Sequence, residues 1–227
     1  MSGQPKLLLD WCSAKAAKYA CENWHYTRQM PCFKTSKIGV WEDGLFRGCL
    51  IYTSPFPTIR KRFKCSKTEM TELARVALRG HKAPVSKMIR ISLKMIKKAN
   101  PGLKVCVSYA DTSQGHHGGI YQGSGFKYFG EGTTSWEYWY NGKWTHCRSV
   151  CMARDRGVIK DYRTLPKRRT GAKHCYALEL DKKSSVLLHL DQQPYPKRVS
   201  SDTSDTPAFH AGKAGATPSD ALQEGLS

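Results

Sequence analysis

The sequence predicts a single α/β domain whose central sheet is mixed and flanked by helices. An apolar segment, TELARVAL, precedes an amphipathic segment, VSKMIRISLKMIK, and a second apolar segment, LKVCVSYAD, follows. A strand, a helix and a strand in this order form a crossover with parallel strands, while hairpin signals elsewhere add antiparallel strands. The 227 residues, of which 40% are hydrophobic, suit one domain with a buried core.

The helices and turns have recognisable boundaries. Ser13 is expected to cap an N-terminal helix over AKAAKYACEN, which ends before Pro31. In the crossover helix the apolar side chains recur on one face, and Asn100-Pro101-Gly102 ends it. Asp43-Gly44 and Asn141-Gly142 predict two hairpin turns. The basic segment TIRKRFKCSK is interpreted as a loop.

The C-terminal part of the chain has a different composition. From about Tyr195 it is rich in Ser, Thr, Asp, Ala, Gly and Pro. Such a composition cannot bury enough apolar surface to offset the entropy of ordering the chain. Residues 1–194 are therefore assigned to the folded domain and residues 195–227 to a disordered tail.

The charge of the chain indicates the kind of partner. It carries 37 Lys and Arg against 18 Asp and Glu, a net charge of +19. This excess favours a polyanionic partner, with nucleic acid the first candidate and an acidic membrane surface the second. The sequence has no apolar run long enough to span a membrane. Without an export signal, its nine scattered cysteines are expected to stay reduced inside the cell.

Candidate site residues follow the second strand of the crossover. Asp111 ends this strand, and the glycine-rich segment with His116, His117 and Tyr121 comes next. Ligands of such sheets bind beyond the carboxyl ends of the strands. Asp111 is either a loop-capping acid or a group that moves protons or binds a ligand, and Tyr121 could donate a proton. At most one of the adjacent histidines should enter the site.

Two further segments have both a functional and a structural interpretation. The turn RGHKAP opens the crossover helix, whose free N–H groups could bind an anion such as phosphate, or it is an ordinary strand-to-helix turn. His25 and Tyr26 end the first helix, where a histidine commonly caps the helix C-terminus.

The second hairpin is dense in aromatic residues. On a strand, Trp136, Tyr138 and Tyr140 share one face and Trp139 takes the other. These rings could stack on an unpaired base while nearby basic segments hold phosphates. Alternatively, they form an ordinary aromatic sheet core.

Four segments together resemble the Mom family of phage DNA-modification proteins: WHYTR, ELARVALRG, VSKMIRISLKMIK and SYADTSQGHHGGIYQGSGFKYFG. The resemblance implies a fold similar to that of GNAT acyltransferases. It also implies conversion of adenine in double-stranded DNA to N6-carbamoylmethyladenine, which protects phage DNA from restriction in the cytoplasm of the infected bacterial host.

The resemblance also implies roles for particular residues. Catalytic roles fall on His25, Tyr26, Asp111 and Tyr121. The acyl donor would be bound by a strand and the turn after it, through Arg75, Val76, Arg79, Gly80, His81, Lys82, Ala83 and Ser86. That turn matches the acyltransferase pattern Q/R-x-x-G-x-G/A only loosely.

The identity of the acyl donor and the metal content each have alternative interpretations. The donor is acetyl-CoA or, as an alternative, a glycyl ester such as glycyl-tRNA, in which case tRNA is a second partner. Activation of an acetyl methyl group would call for iron, with His25, Tyr26 and Asp111 as candidate ligands. The oligomeric state is open, with a homodimer as one arrangement.

Two rival functions also fit parts of the sequence. A non-enzymatic DNA-masking protein explains the charge but not the grouping of His25, Asp111 and Tyr121. An acyltransferase with a non-DNA acceptor explains the fold but not the charge of +19.

Overall fold

The structure of the protein is a computed structural model that describes residues 5–31, 34–132, 134–181 and 184–197. The compact unit ends at Lys197. Of the predicted tail, residues 195–197 are described, and the hydroxyl of Tyr195 donates a hydrogen bond to the carbonyl oxygen of Phe126 at 2.7 Å. The remainder of the predicted tail, residues 198–227, lies outside the described residues.

The described residues form a mixed α/β arrangement. The strands are β1 Leu7–Trp11, β2 Thr35–Glu42, β3 Leu45–Thr53, β4 Met70–Leu78, β5 Val105–Asp111, β6 Lys127–Glu131, β7 Trp136–Tyr140, β8 Lys143–His146, β9 Lys167–Arg169 and β10 Lys173–Glu179. The helices are α1 Ala14–Trp24, α2 Pro57–Arg62, α3 Val85–Ala99, α4 Gly119–Gln122 and α5 Cys147–Asp155.

Seven strands form the main sheet, in the order β1-β2-β3-β4-β5-β10-β6. β4 and β5 are parallel and the other neighbours are antiparallel, so the predicted mixed sheet and crossover are confirmed. The parallel pair is short: it runs for three residue pairs, from Met70↔Val105 to Glu72↔Val107. Beyond it the strands part, and the Ser108 hydroxyl donates to the Leu73 carbonyl oxygen at 2.8 Å. The carboxyl ends of β4 and β5 therefore border a gap.

Helices cover both faces of the main sheet. α3 buries Met88, Ile89, Leu93 and Ile96 against one face, as its periodicity predicts. α1 packs its alanines and Cys21 on the other face, against alternate residues of β3 and β4. We call the two faces the α3 face and the α1 face. Because side chains alternate along a strand, each site residue can be assigned to one of them.

Local sequence signals account for the main boundaries. The Ser13 hydroxyl accepts a hydrogen bond from the Ala16 N–H at 3.1 Å, which confirms the predicted cap of α1. Both predicted hairpins form, and Asp43 and Asn141 each have φ = 50° beside a glycine of positive φ. The interpretation of TIRKRFKCSK as a loop is wrong in its first part, which forms α2. Pro57 starts this helix, and the fully buried Phe63 at its end anchors it.

No helix in the described ranges is both long enough and apolar enough to cross a membrane.

Gly118 and Gly115 provide a matched test of the glycine-rich segment. Both have positive φ, +81° and +67°, which costs an L-residue roughly 1–2 kcal/mol. A Cβ at Gly118 would also overlap the ring of Tyr176, whereas one at Gly115 meets nothing. Gly118→Ala should therefore lower the free energy of unfolding by a further 1–3 kcal/mol or so relative to Gly115→Ala. Chemical denaturation measures the difference, and equal losses would contradict this packing.

Candidate active site

Three elements bring polar side chains together on the α1 face. Lys173 of β10 pairs with Asp111 of β5 in the strand register, and its ammonium lies 3.1 Å from Asp111 Oδ2. The Tyr26 hydroxyl, just after α1, donates to the same oxygen at 3.4 Å. The His25 and Tyr26 rings are 4.4 Å apart. The structure thus brings the predicted residues His25, Tyr26 and Asp111 into one cluster.

Asp111 is held as an ionised acceptor. Its Oδ1 accepts hydrogen bonds from the Ser113 N–H at 3.1 Å and the Ser113 hydroxyl at 2.6 Å. Burial opposes ionisation, but these bonds and the charge of Lys173 outweigh it and lower the pKa of Asp111. A carboxylate with a lowered pKa is a weak base. Asp111 therefore positions Lys173 and Tyr26 more readily than it removes a proton.

His25 is a neutral hydrogen-bond donor. Its Nδ1 accepts from the Thr27 N–H at 3.2 Å, so the neutral ring carries its proton on Nε2. Burial, with the charges of Arg75, His116 and Lys173, lowers the pKa of His25 to about 3. His25 also ends α1 as its C-cap residue. His25 is at the expected position, but the Arg28 guanidinium rather than the imidazole donates to the carbonyl oxygens of Glu22 and Asn23 at the end of α1. The imidazole is therefore available as a donor rather than as a base.

The two tyrosines stay protonated. Burial and the charge of Asp111 raise the pKa of Tyr26. Tyr121 of α4 is buried in the core against Phe126, with ring centroids 5.7 Å apart. Burial raises the pKa of Tyr121 to about 12, although a hydrogen bond with Ser108 opposes this. Ser108 lies beside the gap between β4 and β5, but the ring of Tyr121 is buried on the α3 face, so the structure does not bring Tyr121 into the cluster of His25, Tyr26 and Asp111.

His116 joins this cluster and His117 does not. The His116 ring contacts Tyr26 edge-on, with centroids 5.6 Å apart. The carbonyl oxygen of His117 instead accepts hydrogen bonds from Tyr176 and Gln122. The expectation that at most one of the two histidines enters the site is therefore consistent with these contacts.

The candidate iron ligands do not fit a metal site. Metal-bound histidines usually donate their second N–H to an acceptor, whereas His25 Nδ1 accepts from Thr27. Asp111 is already bound to Ser113 and Lys173. No group of three His, Cys, Asp or Glu residues in the described part of the chain could hold a metal ion. The assignment of iron to His25, Tyr26 and Asp111 is therefore not supported by the structure.

The turn before α3 differs from the predicted anion site. Its Lys82 and Ala83 N–H groups donate to the two carboxylate oxygens of Glu42, at 2.8 and 2.6 Å. Glu42 ends β2 and is 1% exposed. Burial opposes ionisation, but the two backbone bonds and nearby cations lower the pKa of Glu42. The chain's own carboxylate therefore occupies the N–H groups that a donor phosphate was expected to use.

The other residues predicted to bind the acyl donor do not lie together in the structure. Arg75 lies on the α1 face, and its Nε donates to the Gln29 carbonyl oxygen at 3.2 Å, whereas Val76 packs into the core of the α3 face. Arg79 and Gly80 are exposed, and His81 Nδ1 lies 3.0 Å from the Ala83 carbonyl oxygen. Ser86 borders a shallow groove beside α3 of about 410 Å³, lined also by Lys87, Arg90, Lys94 and Gly123.

Lys173 and Glu72 are functional candidates that sequence reasoning missed. Lys173 contacts Asp111 because β10 pairs with β5. No local sequence pattern predicts this long-range pairing. Glu72 lies inside an apolar strand segment, where a single acid between leucine and threonine has no motif around it. The sequence signal that could have identified Glu72 is an acidic residue within a mostly apolar strand segment, because such residues are rarely buried without a reason.

The second sheet, in the order β8-β7-β9, carries the aromatic hairpin. Tyr138 and Thr145 of one face are buried, so the core interpretation holds for Tyr138. Trp139 on the other face is 44% exposed, and its ring lies 5.4 Å from that of Trp144. The Arg168 guanidinium lies 4.5 Å from the Trp144 ring. We call Trp139, Trp144 and Arg168 the aromatic face.

The aromatic face borders the α1-face cluster. Cross-strand pairing places His146 of β8 opposite Glu137, on the same face as Trp139. Burial, with the charges of Arg148 and Lys173, lowers the pKa of His146 to about 4. Lys173 thus acts electrostatically on both His146 and His25. Lys173 therefore lies within electrostatic range of both surfaces.

The parted parallel strands and the polar cluster beside them define a mixed α/β protein with a candidate active site at the carboxyl ends of two strands. The model of the Mom protein family matches residues 6–197. The chain therefore belongs to the Mom protein family.

Solved structures show more distant similarity. A Bacillus subtilis acetyltransferase in complex with CoA aligns with a TM-score of 0.41 and 12% identity, covering 77% of this chain and 99% of that one. The AHL synthase LasI aligns with a TM-score of 0.39 and 11% identity, covering 78% and 91%. Comparison with curated proteins found no match.

Lys173→Gln should raise the pKa of both His25 and His146, because the lysine charge helps to keep each imidazole neutral. Both values should remain below the ordinary 6.5, since burial is the largest cause of each shift. Titration followed by ¹⁵N NMR of the imidazoles measures the change.

Lys98→Gln, at an exposed position of α3, is the charge-matched control. Both folded pKa values lie below 6.5, so the unfolded chain binds more protons and stability falls as pH drops below 6.5. Lys173→Gln should reduce this loss of stability at acid pH. Unchanged histidine titration would contradict the placement of Lys173 between the two rings.

Proposed function

We propose that the protein is a transferase that modifies the N6 amino group of adenine in DNA to N6-carbamoylmethyladenine. The proposed reaction takes place in the cytoplasm of an infected bacterial host, where the product protects phage DNA from restriction. The observation that carries the proposal is the meeting of His25, Tyr26, Asp111 and Lys173 beside the gap between β4 and β5, in a chain of the Mom family. The net charge of +19 supplies attraction for DNA.

The product constrains the donor. Plain acetyl transfer would leave a carbonyl carbon on N6, whereas this product has a methylene there and a terminal amide. A glycyl ester such as glycyl-tRNA accounts for every atom. N6 attacks the ester carbonyl carbon, a C–N bond forms, and the ester C–O bond breaks as its oxygen takes a proton. Tyr121, which keeps its proton with a pKa of about 12, would supply it.

A rearrangement then completes the product. The free glycyl amine attacks C6 through a five-membered ring, and the bond from C6 to the original nitrogen breaks. The result is C6–NH–CH2–CO–NH2, an isomer of the glycylated adenine, so no oxidant or reductant is needed. The cluster residues hold the reacting groups while protons move between the nitrogens.

The turn before α3 weighs against acetyl-CoA bound through its diphosphate at this turn. The Lys82 and Ala83 N–H groups are bonded to the buried carboxylate of Glu42. A donor diphosphate would have to displace this carboxylate and leave it buried without its partners, which is costly. Acetyl-CoA remains the alternative donor, bound along the basic groove of α3 rather than at the turn.

The adenine must leave the base stack before its amino group can react. The aromatic face offers a place for it, because exposed tryptophans stack on unpaired bases. Residues 134–173 contain ten Lys and Arg against three Asp and Glu, a net charge of +7. These positive charges would attract the phosphates on either side of the displaced base.

Nucleoside mass spectrometry tests the proposed function. The protein is expressed in bacteria, and plasmid DNA is recovered and digested. With the wild type, the digest should contain deoxyadenosine in which a carbamoylmethyl group has replaced one N6 hydrogen, with the corresponding increase in mass. Asp111→Ala should lower the yield at least about 100-fold while DNA binding persists. The control is Asp10→Ala, at an exposed position of β1.

The same experiment separates the rivals. A masking protein would protect DNA from restriction with adenine unmodified, and Asp111→Ala would protect equally well. An enzyme with a non-DNA acceptor would leave DNA both unmodified and unprotected. Either result would overturn the proposed function.

Cells grown on glycine labelled with ¹³C and ¹⁵N identify the donor. The added group should contain both labels, with ¹⁵N on the nitrogen bonded to C6 and not in the terminal amide. Because glycine also enters the purine ring, fragmentation must assign the labels to the added group. Labels absent from that group would exclude the glycyl ester while leaving the modification itself established.

Trp139→Ala should weaken binding of a single-stranded oligonucleotide by roughly 1–3 kcal/mol, because one stacking partner is lost. The matched control is Trp11→Ala, since Trp11 is 49% exposed on the edge strand β1 and Trp139 is 44% exposed. Fluorescence anisotropy measures both affinities. Equal affinities for the two variants would exclude the aromatic face as a base-binding surface.

A further inference from the structure

The α1-face cluster lacks a good proton acceptor. Adenine N6 must lose a proton when it attacks an acyl carbon. Asp111 is bound to Ser113 and Lys173, and His25 Nδ1 accepts from Thr27. His25 and Tyr26 both keep their protons in the forms that donate. The residues assigned so far can therefore bind and donate but have little capacity to remove a proton.

Glu72 lies where such an acceptor is needed. It belongs to the last pair, Glu72↔Val107, before β4 and β5 separate. Pairing of β4 with β3 and β5 puts its side chain on the α1 face, the face of Asp111 and Lys173. The side chain is half-buried. The carboxylate is thus at the start of the gap, on the same face of the sheet as the cluster and within electrostatic range of Lys173.

The Glu72 carboxylate has unused acceptor capacity. Among the described residues none donates a hydrogen bond to it, and none forms an ion pair with it within 4.0 Å. Asp111, in contrast, accepts from Ser113, Lys173 and Tyr26. A partly buried carboxylate without a hydrogen-bond partner costs free energy, so its presence calls for an explanation, and a catalytic role is one.

Charges from several elements face Glu72. Cations approach it from β4, α5 and β10, through Arg75, Arg148 and Lys173. Tyr109 and Cys175 on the same face, and Cys106 and Tyr121 on the α3 face, also lie within electrostatic range of Glu72. Burial outweighs the three cations and raises the pKa of Glu72 above its ordinary value. A carboxylate with a raised pKa is a stronger base at neutral pH.

We propose that Glu72 is the general base that takes the proton from adenine N6 as this nitrogen attacks the acyl donor. The inference rests on the proposed function, since it names a catalytic residue for that reaction. A bond forms between N6 and the acyl carbon, the bond from that carbon to its leaving atom breaks, and the N6 proton passes to the Glu72 carboxylate. In the glycyl route, the protonated Glu72 can return this proton to the nitrogen that leaves C6. The charges of Arg148, Arg75 and Lys173 favour loss of this proton from Glu72 after each turnover.

The variant Glu72→Gln keeps the shape of the side chain and removes its basicity. It should lower the rate of adenine modification at least about 100-fold, with DNA affinity and melting temperature close to those of the wild type. Glu72→Asp keeps a carboxylate and should retain a measurable part of the rate. The matched control, Glu22→Gln, removes a surface carboxylate 3.9 Å from Lys18 and should behave as the wild type.

The pH profile separates a base from a structural group. The wild-type rate should fall at acid pH through an apparent pKa above 4.5, the ordinary value for Glu72. Glu72→Gln should lose this fall in rate at acid pH, and Glu72→Asp should keep one. A structural role would change the melting temperature without removing this fall in rate.

The outcomes distinguish this inference from the function on which it rests. If the wild type modifies adenine and Glu72→Gln retains its rate, Glu72 is not the base and the proposed function stands. If the wild type leaves adenine unmodified, the proposed function fails and the role of Glu72 fails with it. Loss of rate together with loss of folding in both Glu72 variants would assign a structural role and overturn the proposal.

Discussion

The parting of β4 and β5 is the constraint on which the rest of the site depends. Two parallel strands that paired along their full length would close the sheet at Asp111, and no space would open behind it. Here pairing ends after three residue pairs, and the Ser108 hydroxyl meets the Leu73 carbonyl oxygen instead of a continuing ladder. α1 on one face and α4 at the strand end then bring His25, Tyr26 and Tyr121 to the two sides of this gap.

Burial and positive charge together fix the protonation of the cluster. Lys173 and Arg75 lie close to His25 and help to keep it neutral. Bonds from Ser113 and the charge of Lys173 lower the pKa of Asp111 in spite of burial, whereas burial outweighs the cations around Glu72 and raises its pKa. The cluster therefore holds neutral donors and anionic acceptors side by side at neutral pH. This arrangement suits a reaction that moves protons between nitrogen and oxygen atoms and needs no change of oxidation state.

The sequence predicts those features that local patterns determine. The periodicity of α3 and the turn residues of both hairpins each depend on neighbouring residues, and all were correct. The strand ending at Asp111 was also correct. The contacts that define the site depend on long-range pairing instead. Glu42 reaches the turn before α3 from the far end of β2, and Lys173 meets Asp111 through β10. From the sequence, the N–H groups of this turn were expected to be free to bind a phosphate. No local pattern indicates that Glu42, about 40 residues earlier in the chain, bonds to them.

A structure of the protein with a short oligonucleotide containing one unpaired adenine would test the central claim most directly. The account predicts that the adenine N6 lies within hydrogen-bond distance of the Glu72 carboxylate, beside Asp111 and Lys173, with the neighbouring phosphates along the aromatic face. An adenine bound in the groove of α3, near Lys87 and Arg90, would place the chemistry on the other face of the sheet and contradict the account.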